Sequence, residues 1–107
     1  MKHMPAARQL AIPIPHERIA EFCRKWGIRK LSFFGSVVRD DFDPERSDVD
    51  VLVEYRDPKK VSFFDMSRAE RELTAIFGRK VDLVDRIRET LWPYVKDDLV
   101  LEYVEES

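Results

Sequence analysis

Apolar residues recur along this chain at two spacings, and the switches between them mark out its elements. Over 15–26, Ile19, Phe22, Cys23 and Trp26 fall three or four apart, the period of one helix face, and Gly27 is placed to end the helix. Residues 29–34 read as a strand, with Leu31 and Phe33 on one face and Phe34 on the other, so both faces are expected to be partly covered by helices. Alternation returns at 48–55, where Val49, Val51 and Val53 share one face while Asp48, Asp50 and Leu52 share the other. Phe63, Met66, Ala69, Leu73, Ile76 and Phe77 form the stripe of a longer helix over 62–77. Ser62 and Asp65 approximate a capping box at its start, and Gly78 closes it.

A third strand is expected over 80–84, with Asp82 and Val84 on one face and Val81 and Leu83 on the other; Asp85 follows at a helix-capping position. The tail over 89–105 reads as a final helix, with Pro93 in its first turn and Val95, Leu99, Val100 and Tyr103 inward. The first fifteen residues, with Pro5, Pro13 and Pro15, show no sustained period and are expected to form an irregular arm. The division expected is therefore an arm over 1–15 and a single domain over 16–107.

Composition narrows the function classes. At 107 residues the chain has room for one core and no second domain. A net charge of −2 lacks the basic excess that a direct nucleic-acid partner calls for. A lone cysteine, Cys23, cannot form an internal disulfide, its helical position suits an inert core thiol, and no Cys/His spacing suits zinc. With no signal peptide and no apolar run of membrane-spanning length, a cytoplasmic protein without membrane contact is expected. His3 and His16 read as solvated residues rather than ligands.

The chemistry concentrates between Leu31 and Tyr55. Asp48 and Asp50 project side by side, their Cα atoms roughly 7 Å apart along an extended strand. Carboxylates set in an apolar strand need compensation, and a divalent cation supplies it. Gly35 and Ser36 follow the first strand at a turn expected to open one or two helical turns over 36–41. A glycine lets backbone approach a ligand, a helix start offers unpaired N–H donors, and the serine adds a hydroxyl, a combination that favours phosphate. Arg39, one turn beyond Ser36, either reaches the same phosphates or pairs with Asp40 or Asp43 on the surface. Phosphate on one side and paired acids on the other are the two halves of a Mg²⁺–nucleotide site. The bland reading makes these acids surface-strand residues or caps, with Asp48 paired to Arg46.

For Gly35 and Asp48 to meet one ligand, the first two strands must be antiparallel neighbours; the helix between the second and third strands then makes those two parallel and brings Asp82 beside the acidic pair. The fold class expected is α/β (α+β): a small mixed sheet of three or slightly more strands packed with about four helices.

The order of these motifs, Gly-Ser, a loop, then Asp48-Val49-Asp50 and the downstream KVDLVD, resembles the signature of the DNA polymerase β-like nucleotidyltransferase superfamily. The short length is similar to its minimal nucleotidyltransferases, the MntA-like antitoxin partners of HEPN-domain toxins. The resemblance covers about His16 to Tyr103. It implies the nucleotidyltransferase fold, two Mg²⁺ ions on Asp48, Asp50 and Asp82, β- and γ-phosphates at Gly35 and Ser36, and Asp82 accepting the acceptor's proton. It further implies AMP transfer from ATP to a tyrosine of a HEPN ribonuclease toxin, within a hetero-oligomer. Two departures stand out: Asp40 lies where many relatives carry glycine, and eleven residues separate Ser36 from Asp48, one more than is common in the minimal subfamily. The extra residue is expected to bulge the 43–47 loop outward. The competing readings are an antitoxin that neutralises by binding alone and a transferase with a small-molecule acceptor.

Overall fold

The computed structural model describes residues 10–39 and 41–106. Helix α1 (His16–Trp26) leads into strand β1 (Ile28–Phe34), followed by a 3₁₀ turn (Gly35–Val38) and strand β2 (Val49–Tyr55). A second 3₁₀ turn (Pro58–Lys60), helix α2 (Phe63–Phe77), strand β3 (Val81–Val84), the four-residue helix α3 (Trp92–Val95) and strand β4 (Val100–Val104) complete the chain.

The strands form one mixed sheet in the order β3-β2-β1-β4. As the site argument required, β1 runs antiparallel to β2, with Phe34 opposite Asp50, and β2 runs parallel to β3. Both long helices pack on one face, where Ile19, Phe22, Val49, Val51, Val53, Ala69, Leu73 and Val81 are at most 1% exposed. The Phe33 and Phe77 rings meet edge to face there, 5.9 Å apart. Each fully buried apolar side chain contributes roughly 1.5–3 kcal/mol. The strict alternation of β2 decides its orientation: its valines are buried against the helices, which turns Asp50 and Leu52 to the opposite, more open face. That face is less covered than the first strand's residues suggested, although Ser32 is buried within it.

Helix α2 begins as its sequence indicated. Ser62 Oγ accepts from the Asp65 N–H and the Asp65 carboxylate accepts from the Ser62 N–H, both at 3.0 Å. Its inner edge is tied to α1 by Glu72, which accepts from Lys25 Nζ at 2.7 Å and from Trp26 Nε1 at 3.3 Å.

The C-terminal segment departs from the expected helix over 89–105. Only Trp92–Val95 is helical, and Val100–Val104 is a strand paired antiparallel to β1. The inward residues proposed for that helix were spaced by three and four, but Val100, Leu101, Tyr103 and Val104 are β-branched, aromatic or apolar residues that suit a pleated surface equally well. The outer edge of β1 settled the choice, because its N–H and C=O groups need partners and β4 supplies them. Val100 and Tyr103 do pack on the core, from a strand. Of the irregular arm expected over 1–15, the first nine residues lie outside the described residues. From Leu10 to Pro15 the chain has no regular element, but Ile12 is buried and Leu10 and Ile14 pack against the core. No helix among the described residues is long and apolar enough to cross a membrane.

Candidate active site

The sheet brings the residues singled out in the sequence to one end of its open face. β1 finishes at Phe34 and the chain turns at Gly35, whose φ of 75° lies in the left-handed region that side-chain-bearing residues disfavour. A second constraint acts on the same atom. A Cβ at position 35 would run into Asp50 Oδ2 and stand 3.1 Å from its Cγ. Glycine is therefore required both by the turn and by a carboxylate lying directly against the backbone.

The expected helix over 36–41 is shorter than the pattern suggested. It is a 3₁₀ turn ending at Val38, with Arg39 already extended at φ −120° and ψ 172°. Val37 and Val38 are buried and anchor the turn, and Val37 C=O accepts from Ala11 N–H at 3.1 Å. Two buried side chains thus fix a short polar turn, leaving Ser36 half-buried beside the acids and Arg39 exposed. Arg39 Nε lies 3.3 Å from Asp41 Oδ1, an exposed pair. Its positive charge also reaches Asp50. Asp40 lies outside the described residues.

Asp50 and Asp82 are register partners on the parallel strands β2 and β3 and so stand on the same face. Asp50 is half-buried and Asp82 exposed. The Asp50 carboxyl is raised to about 6, first by its own burial, then by the negative charges of Asp82 and Asp48, against a smaller opposing pull from Arg39. Asp48 precedes β2, which starts at Val49, and its carboxylate is 3.8 Å from Lys80 Nζ rather than paired with Arg46. The three acids, the Gly-Ser turn and Arg39 are thereby gathered into one neighbourhood.

The candidate donors suit a hard divalent cation: all three are carboxylates, and neither Asp50 nor Asp82 has an ion pair among the described residues. The Asp50 carboxyl is raised first by burial and then by the charges of Asp82 and Asp48, and a cation beside it would offset both. Among the described residues no three His, Cys, Asp or Glu side chains already stand at mutual ligating distance, so the chain supplies donors rather than a finished cage.

The sequence reading overlooked Lys80 and Arg79. Both belong to the turn after α2, and both reach across to the segment leading into Asp48. Their nearness to Asp82 in sequence was the available signal. That segment, expected to bulge outward, is a tight turn. Arg46 and Ser47 N–H groups donate to Asp43 C=O at 3.1 and 2.8 Å, Asp43 N–H donates to Ser47 Oγ at 2.9 Å, and Glu45 N–H donates to Asp43 Oδ1 at 2.9 Å.

Known proteins resemble this chain in sequence and in fold. A Methanocaldococcus jannaschii protein provisionally named a protein adenylyltransferase is 33% identical over 88 residues, which span 82% of this chain and 89% of that protein. The fold superposes on a chain from a crystal structure of a toxin–antitoxin with AMP-PNP at a TM-score of 0.70, with 18% identity over 87% of this chain and 76% of that one. It also superposes on a chain from the complex of tri-AMPylated Shewanella oneidensis HEPN toxin with MNT antitoxin, at a TM-score of 0.61, with 19% identity over 84% and 70%. These structural neighbours carry the nucleotidyltransferase fold that the motifs implied. Residues 17–105 match the nucleotidyltransferase domain model, and with the sequence relative above, this shows that the chain belongs to the nucleotidyltransferase domain family.

Proposed function

We propose that this nucleotidyltransferase moves AMP from ATP onto a tyrosine hydroxyl of a partner HEPN ribonuclease toxin and so acts as its antitoxin. The observation that carries the chemistry is the packing of the Asp50 carboxylate on the Gly35 turn, with Asp82 in register beside it. A phosphate chain lying over that turn is within reach of the acids. The protein acceptor is supported by the adenylyltransferase name of the archaeal relative, the AMP-PNP complex and the AMP-modified HEPN toxin seen with an MNT antitoxin.

In this reading Gly35 and Ser36 hold the β- and γ-phosphates, because the glycine exposes backbone N–H groups at close range and the serine adds a donor. Arg39 exchanges its exposed partner Asp41 for a phosphate oxygen, a charge-assisted contact better suited to its fork. Asp48, Asp50 and Asp82 would hold two Mg²⁺ ions, which supply charge neutralisation of the triphosphate and make the acceptor hydroxyl more acidic. The acceptor oxygen attacks the α-phosphorus in line as the bond to the β-phosphate oxygen breaks. Its proton passes to Asp82, the most exposed of the three acids, and pyrophosphate leaves.

The test is mass spectrometry of the partner toxin after incubation with this protein, ATP and Mg²⁺, beside the Asp48→Asn/Asp50→Asn variant. Addition of one or more AMP units to a tyrosine, lost with the variant, is the expected result. An unmodified toxin that is bound and silenced equally well by the variant would replace transfer with neutralisation by binding.

A further inference from the structure

The acid Asp48 has a positional problem that Asp50 and Asp82 do not share. Both of the latter sit inside strands and are fixed by ladder hydrogen bonds, whereas Asp48 stands one residue before β2, at the end of the turn over 43–47. The turn is braced internally, but those bonds join it only to itself. Something outside the turn must set where it lies against the sheet.

We propose that Arg79 is a positioning residue for Asp48, acting by clamping the turn over 42–47 to the connection between α2 and β3; the inference rests on the metal-binding reading of Asp48 given above. Arg79 Nη1 donates to Pro44 C=O at 3.2 Å, and its guanidinium carbon lies 5.5 Å from the centre of the Phe42 ring. One side chain therefore grips the turn at two points, through a directed hydrogen bond and a cation–ring contact. The neighbouring residue finishes the grip at the far end of the segment: Lys80 C=O accepts from Val49 N–H at 3.0 Å, and Lys80 Nζ faces Asp48 at 3.8 Å. Phe42, Pro44, Asp48 and Val49 are thus all held by two consecutive residues. Helix α2 and its closing Gly78 deliver those residues to the place where β3 begins, so the same connection sets both Asp82 and Asp48.

The experiment compares wild-type protein with Arg79→Ala, Arg79→Lys and Phe42→Leu, using amide hydrogen exchange and Mn²⁺ titration calorimetry. With Arg79→Ala, the Arg46 and Ser47 amides should exchange about tenfold faster while the α1 and β2 amides are unchanged. Mn²⁺ affinity should fall about tenfold, the lower end of what losing the support behind a metal ligand costs. Arg79→Lys, which keeps the charge over the ring but loses the planar fork, should recover part of both losses. Phe42→Leu removes only the ring contact and should give an intermediate loosening. Unchanged exchange in the turn would overturn the clamp, and faster exchange with undiminished Mn²⁺ affinity would overturn its role in positioning Asp48. Asp48→Asn/Asp50→Asn serves as the control. If that variant binds Mn²⁺ as wild type does, the metal-site reading fails and the positioning role falls with it, while the exchange data still report whether Arg79 holds the turn.

Discussion

Burial of the Asp50 carboxylate, with the charges of Asp82 and Asp48 beside it, should make the metal-free protein less stable than an uncharged side chain there would, and replacing Asp50 by Asn tests this directly. The Asp50 carboxyl is raised from 3.8 to about 6, so the folded chain holds that proton more tightly than the unfolded chain does. A shift of that size is about 3 kcal/mol at 1.36 kcal/mol per unit. Because the carboxylate is only half-buried, solvent screening reduces the expected cost to the order of 1 kcal/mol. With the folded value above the unfolded one, this cost is absent below about pH 4, grows as pH rises, and is complete above about pH 6. Asn at position 50 carries no charge and no such dependence. In a chelator at pH 7.5 the variant should therefore melt roughly 5 °C above the wild type, using about 4–8 °C per kcal/mol for a domain of this size. At pH 4 the two should coincide. Saturating Mg²⁺ should reverse the order at pH 7.5, since a ligand at a hundredfold its Kd stabilises the wild type alone by about 2.7 kcal/mol. Thermal denaturation followed by circular dichroism across pH 4–8 measures all three. A variant that melts below the wild type at pH 7.5 in chelator, or an advantage that persists unchanged at pH 4, would refute the electrostatic account.

Three further outcomes follow from the same geometry. Gly35→Ala forces a side chain into a left-handed turn and against the Asp50 carboxylate, so it should cost about 1–2 kcal/mol in chemical denaturation and abolish nucleotide transfer in the partner assay. Ser62→Ala breaks the capping box of α2 far from the acids and should lower stability by about 1 kcal/mol, read from urea midpoints, with transfer unchanged at temperatures below the melt. Cys23 is fully buried and its thiol is pushed up to about 12, chiefly by burial, so iodoacetamide should modify it only at the rate of unfolding; fast labelling of the native protein would show that α1 does not pack as described.

The local rules were legible because each rested on contacts close in sequence. The helix α1 stripe of Ile19, Phe22 and Cys23, the Ser62–Asp65 cap and the alternation of valine and acid in β2 each need only a period or a three-residue spacing to be read. The site followed by one topological step, since acids on a strand meet a turn on its neighbour only if the two run antiparallel. Composition and period alone did not decide the tail. Residues 100–104 satisfy a helical and an extended pattern at once, and the unpaired edge of β1, more than sixty residues earlier, selects the strand. Asp48 shows the same limit at the level of one side chain. Its sequence neighbour Arg46 offered a partner, but the α2–β3 connection brings Lys80 to it instead. Sequence by itself determined which residues carry charge, curvature and periodicity, because those are properties of short stretches of chain. Tertiary structure alone decided which of them meet, because backbone groups at a strand edge and half-buried carboxylates take their partners from whatever the packed core places within reach.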